Sequence, residues 1–139
     1  MKKAQKIVSK MIKKDAFSQW LGIHIIKVSE GFCKLEMRIR KEMTNGFNIA
    51  HGGISYSLAD SALAFAANSD GIQSLSIETS ISHTKKVLIG DTLIAETKEI
   101  SKTDKSAVYS ISITNQENKE VAKFKGEVYR TKNKWITDK

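Results

Sequence analysis

The stretch NGFNIAHGGISYSLADSALAFAANSD, residues 45–70, decides the fold. It opens with turn chemistry, Asn45-Gly46 and then His51-Gly52-Gly53. It continues into fourteen residues, Ile54 to Ala67, with neither glycine nor proline. Five of the fourteen are alanine and two are leucine, a composition that favours helix over strand. Positions 54, 58, 62, 65 and 66 form an apolar helical stripe, but 56, 59, 63, 64 and 67 are also apolar or small. A helix apolar on nearly every side is a buried helix. At 1.5 Å rise per residue it is roughly 20 Å long.

Asp60 is the only charged side chain between His51 and Asp70. A buried carboxylate without partners is costly, so Asp60 needs either solvent on that face or a cleft that uses its charge. Gly52 and Gly53 precede the helix, where the first backbone N–H groups lack helical partners. Those donors and the helix dipole suit an anion or a developing oxyanion, and glycine lets a ligand approach the backbone closely. Gly53 and Asp60 are seven residues apart, about two turns, and so share one side of the helix. A tight turn alone would also explain the glycine pair, and a role in holding that turn would explain His51.

Outward from this helix, the first twenty residues read as a basic amphipathic helix. Ala4, Ile7, Val8, Met11 and Ile12 form its stripe, and six lysines fall within the first fourteen residues. Leu21-Gly22 marks a turn. Residues 23–29 and 32–40 read as strands joined at Glu30-Gly31. In the second, Cys33, Leu35, Met37 and Ile39 alternate with charged residues, the pattern of a half-buried antiparallel strand. Four more extended segments are expected at 74–84, 91–102, 106–115 and 120–131, with residues 132–139 a basic tail. A small chain buries one helix only if its sheet curls around it. The reading is therefore one α+β domain over residues 1–139, an antiparallel sheet wrapped around one long central helix, with an N-terminal helix in addition.

Composition narrows the function classes. The chain is 40% hydrophobic and 27% charged, as globular proteins are. Asp60 interrupts the longest apolar run, so no membrane span is expected. The basic N-terminus lacks an apolar signal core, which points to a cytoplasmic protein. The single cysteine, Cys33, excludes an intramolecular disulfide and reads as a buried structural thiol. A net charge of +8 suits phosphate-bearing ligands or a solvated lysine surface, but no nucleic-acid-binding motif accompanies it. His24, His51 and His83 lack metal-ligand spacing, so no metal is expected. Ser57, His51 and Asp60 contain the residue types of a catalytic triad, but no Gly-x-Ser-x-Gly elbow supports one.

The pattern Asn45-Gly46-x4-His51-Gly52-Gly53-x6-Asp60 resembles the hotdog-fold acyl-CoA thioesterases of the phenylacetic acid degradation (PaaI) type. Leu21-Gly22-Ile23, Gly90-Asp91-Thr92-Leu93, Val108-Tyr109, Asn115-Gln116 and Val121-Ala122-x-Phe124-x-Gly126 extend the resemblance over residues 10–131. It implies that Asp60 is the nucleophile or the base that activates water, and that the Gly53 N–H polarises the thioester carbonyl. It makes Asn45, His51, Gly52 and Ser61 pocket residues. Thr79 and Ser80 would complete a neighbouring subunit's site. Lys85, Lys86, Lys125 and Arg130 become candidates for the phosphates of coenzyme A. The implied reaction is hydrolysis of aryl-acyl thioesters such as hydroxyphenylacetyl-CoA, in phenylacetate degradation, by a dimer or tetramer. No cofactor is implied beyond the coenzyme A of the substrate. The alternative is a non-catalytic hotdog module that binds acyl-CoA.

Overall fold

The computed structural model describes residues 1–136. Helix α1 (Lys3–Lys14) and the short α2 (Ala16–Leu21) are followed by strands β1 (His24–Ser29) and β2 (Phe32–Arg38). After a 3₁₀ turn comes the long helix α3 (Gly52–Asn68). Strands β3 (Ile72–His83), β4 (Thr92–Lys102), β5 (Ser106–Thr114) and β6 (Glu120–Lys134) complete the order. The six strands form one antiparallel sheet in the order β1-β2-β4-β5-β6-β3. The helix lies against this sheet and the sheet curls around it, which is the hotdog arrangement.

The core forms where α3 meets the sheet. Leu58, Ala59, Ala62, Leu63, Phe65, Ala66 and Ala67 of α3 are buried together with Cys33, Leu35 and Met37 of β2, Leu93 and Ala95 of β4, Ile111 of β5 and Phe124 of β6. The alanines let the helix settle close to the strands. Gly126 continues that fit from β6, because a Cβ there would lie 2.6 Å from Leu63 Cδ2. Burial pushes the Cys33 thiol up to about 12, which makes it an inert part of the packing.

Two expectations need correction. The N-terminal helix over 1–20 is two helices, broken at Asp15. The Asp15 carboxylate leaves α1 and caps α2 by accepting from the Ser18 N–H at 2.9 Å. Aspartate competes with the backbone in this way, so it favours a helix boundary over a helix interior. The basic tail over 132–139 also begins later than expected. Strand β6 runs through Lys134, and Trp135 packs back onto α3. Residues 137–139 lie outside the described residues.

Behind α3 the chain buries an ion pair. Asp70 accepts from Arg130 Nη1 at 2.5 Å, from Lys102 Nζ at 3.3 Å and from the Ile72 N–H at 3.0 Å. Burial works against the Asp70 charge. The Arg130 hydrogen bond, the Ile72 N–H and the two cations outweigh it and hold the carboxyl below the usual carboxylate range. Stability from this pair is therefore present at neutral pH and is lost as pH falls through the lowered pKa. Arg130→Ala leaves the Asp70 carboxylate buried with only Lys102 as a charged partner. It is expected to cost about 3–5 kcal/mol in denaturant unfolding at neutral pH, with the loss shrinking in acid.

Candidate functional site

Helix α3 is buried on all sides but one. Tyr56, Ser57, Asp60, Ser61 and Ala64 are its half-buried residues, and they recur at helical spacing as a single stripe. At the N-terminal end the stripe runs into the exposed Gly52 and Gly53. Asp60 therefore avoids the full cost of a core carboxylate while remaining out of bulk water.

Asp60 lines a cleft of about 530 Å³. Met11 of α1, Leu63, Ala64 and Asn68 of α3, Leu75 of β3, Val128 of β6 and Trp135 line it. Its walls are mostly apolar, with Gln73, Thr131 and Asn133 supplying polar groups. Burial first, and the nearby Asp15 charge second, push the Asp60 carboxyl above its ordinary value. Asp15 also anchors the neighbourhood. Ser18 Oγ donates to Asp15 Oδ2 at 2.6 Å and lies 2.8 Å from Ser61 Oγ, which ties α2 to α3 one residue from Asp60.

The N-terminus of α3 forms a second, separate feature. His51 is the N-cap, and its Nδ1 accepts the Gly53 N–H at 2.9 Å. The donor assigned to substrate is thus held by His51 in the free chain. Asn45, Gly52, Ser55, His83, Lys85 and Lys86 line a cleft of about 410 Å³ beside it. Asn45 Oδ1 accepts from the Phe47 N–H at 2.9 Å and shapes the loop leading to the helix.

The remaining expected residues disperse. Thr79 faces the helix and hydrogen-bonds to the Tyr56 hydroxyl. Ser80 pairs with Lys125 across the β3–β6 ladder, one position on from the Thr79–Gly126 pair. Alternation therefore turns Ser80 and Lys125 to the face of the sheet away from α3. Arg130 is committed to Asp70 and is not free for a phosphate, which corrects that assignment. Lys85 and Lys86 are exposed beside the helix N-terminus. Trp135 was missed as a neighbour of the site, and nothing local to it announces its position.

The Gly53 N–H and Asp60 do not meet within one chain. Seven residues of helix separate them by about 10 Å along the axis. A single carbonyl group must lie near 3 Å from its hydrogen-bond donor and within reach of the attacking group.

A profile of the thioesterase superfamily matches residues 47–122. The chain is 42% identical over 126 residues to an Archaeoglobus fulgidus protein named as an esterase, covering 91% of this chain and 82% of that one. It is 38% identical over 120 residues to the acyl-coenzyme A thioesterase PaaI of Escherichia coli, covering 86% of each. The structure of the Escherichia coli PaaI protein from the phenylacetic acid degradation operon superposes with a TM-score of 0.93 at 36% identity, over 95% of this chain and 96% of that one.

Two measurements follow from the electrostatics. A carboxyl whose pKa rises on folding favours the folded state in acid and opposes it at neutral pH. Asp60→Asn should therefore raise the melting temperature at neutral pH, and the gain should fade as pH falls through the raised pKa and be gone below the ordinary carboxylate pKa. Asp15→Asn keeps an acceptor for the Ser18 N–H but removes the like charge. It should lower the Asp60 pKa toward its usual value in an NMR titration, with the part due to burial remaining.

Proposed function

This chain belongs to the thioesterase superfamily and has its hotdog fold, and from that premise we propose that it hydrolyses acyl-CoA thioesters at a site shared between two protomers. The observation that carries this reading is the single accessible stripe of α3, with the Gly53 N–H near one end and Asp60 two turns along it.

The separation of those two groups requires a second copy. Strand β3 ends the sheet and leaves an open edge beside Leu75 and Ile77, which are 67% and 61% exposed. An open edge of this kind is a template for pairing with another chain. Twofold pairing of two β3 strands would lay the two α3 stripes antiparallel, with Gly53 of one protomer beside Asp60 of its partner. Thr79, on the helix-facing side of β3, would lie near that junction. A tetramer would be two such dimers, with the outward sheet face of Ser80 and Lys125 available for the further contact.

The chemistry then follows from ordinary groups. The substrate carbonyl oxygen replaces His51 Nδ1 as acceptor of the Gly53 N–H, and the helix dipole favours the charge that builds there. Asp60 either takes a proton from a water that attacks the carbonyl carbon, or attacks that carbon itself. The direct attack expels the coenzyme A thiolate and leaves an aspartyl–acyl anhydride. Water then hydrolyses the anhydride to the free acid and the restored carboxylate, and the spare proton goes to the thiolate. Both routes need the ionised carboxylate. In the water route, collapse of the tetrahedral intermediate breaks the C–S bond, and the departing thiolate takes the proton from Asp60. The products are the free acid and the coenzyme A thiol. Lys85 and Lys86 suit the phosphates of coenzyme A as they pass the helix N-terminus. The acyl group enters the cleft beyond Asp60. Its apolar walls and its polar groups Gln73, Thr131 and Asn133 suit a hydroxylated aryl-acyl group such as hydroxyphenylacetyl. That substrate would place the enzyme in phenylacetate degradation.

Thiol release from phenylacetyl-, hydroxyphenylacetyl-, benzoyl- and medium-chain acyl-CoA tests the activity. Asp60→Asn is expected to lower kcat by about 10²–10⁴. Binding of every thioester without hydrolysis of any would instead favour the acyl-CoA-binding module. The shared site has its own test. Gly53→Pro removes the N–H in the first helical turn, where proline is tolerated. Mixed dimers of Gly53→Pro and Asp60→Asn chains should recover activity that neither homodimer has, because one of their two sites is intact. Mixed dimers that stay inactive would place both groups in one chain.

A further inference from the structure

We propose that Trp135 is the end wall of the acyl pocket and sets the longest acyl group that the site accepts. This rests on the functional reading above and adds the residue that determines specificity within it.

The cleft beside Asp60 follows α3. Asp60, Leu63, Ala64 and Asn68 are spaced by three, four and eight residues from Asp60, so they form one continuous wall. Eight residues of helix give that wall a length of about 12 Å. Leu75 and Ser76 of β3, Val128 of β6 and Met11 of α1 also line it. Trp135 lines the cleft beside Asn68, where α3 ends, eight residues along the helix from Asp60.

Trp135 is held there from both ends. Its indole Nε1 donates to Asn68 Oδ1 at 2.8 Å, and its backbone N–H donates to the Gly71 carbonyl at 2.9 Å. Asn68 is itself fixed. Its Oδ1 also accepts from the Ser74 N–H at 2.8 Å, and its Nδ2 donates to the Ala64 and Ser74 carbonyls at 2.8 and 3.1 Å. The two partners of Trp135 thus belong to the last turn of the central helix and the turn after it. A tryptophan pinned in this way is a rigid stop, unlike a side chain on a loose tail. The cleft of about 530 Å³ that it lines is within the range of small-molecule sites. It accommodates an arylacetyl group or an alkyl chain of medium length, but a longer chain must push against the indole.

The test is the ratio of kcat/KM for lauroyl-CoA to that for phenylacetyl-CoA, in the full-length protein. Trp135→Ala opens the end of the pocket and should raise this ratio at least about tenfold, since even one misplaced methylene shifts such ratios by that order. Ala64→Leu narrows the pocket midway and should lower it. An unchanged ratio in a folded Trp135→Ala enzyme that still turns over phenylacetyl-CoA overturns the end-wall assignment and leaves the thioesterase reading intact. Wild-type protein inactive on every thioester overturns the functional reading and this inference with it. Should Trp135→Ala fail to fold, Trp135→Leu keeps an apolar but shorter side chain. A rise in its ratio then supports the assignment, and no change overturns it.

Discussion

The structure depends on burying α3 inside its own sheet. A helix of seventeen residues has far more apolar surface than one flat layer can cover. The sheet must therefore curl, and it does so with β1 and β3 left as its two edges. Almost every other feature follows from this packing. The alanines of α3 and Gly126 of β6 are small because helix and strand lie close together. The half-buried stripe exists because a sheet that curls around a helix leaves one side open.

That open stripe is where the helix tolerates a charge. Asp60 would be an error of patterning in a fully closed core, and here it stands at the boundary between core and cleft. Burial and the Asp15 charge raise its pKa, which opposes folding at neutral pH and makes the carboxylate a stronger base. The Asp70–Arg130 pair, just past the C-terminal end of α3, shows the opposite solution. There a buried carboxylate is surrounded by donors and serves structure. Two aspartates ten residues apart thus have opposite shifts because their partners differ.

Asp15 and Trp135 show how elements distant in sequence finish the site. Asp15 ends one helix and caps the next, and in doing so it places a charge near Asp60 and fastens Ser18 to Ser61. Trp135 follows the last strand and returns to the end of α3. Neither is near Asp60 in the chain. Asp15 comes beside it, and Trp135 reaches the other end of the same cleft, because α1, α2 and β6 all pack around one helix.

The sequence by itself determined the central helix, the six strands and the Gly-Gly and Asp60 features, because hydrophobic period and turn residues are local signals. Cys33, Leu35, Met37 and Ile39 announced a strand with one buried face, and all four are buried. The break at Asp15 was legible in principle, since aspartate is a capping residue, but a continuous apolar stripe hid it. The fate of Arg130 was not legible, because a charge free for a ligand and one bound to Asp70 sixty residues earlier look the same in a string. Only the tertiary structure turned Ser80 and Lys125 away from α3 and brought Trp135 into hydrogen-bonding contact with Asn68. Register and long-range packing decide those contacts, and they depend on how the whole sheet closes around the helix rather than on any segment read alone.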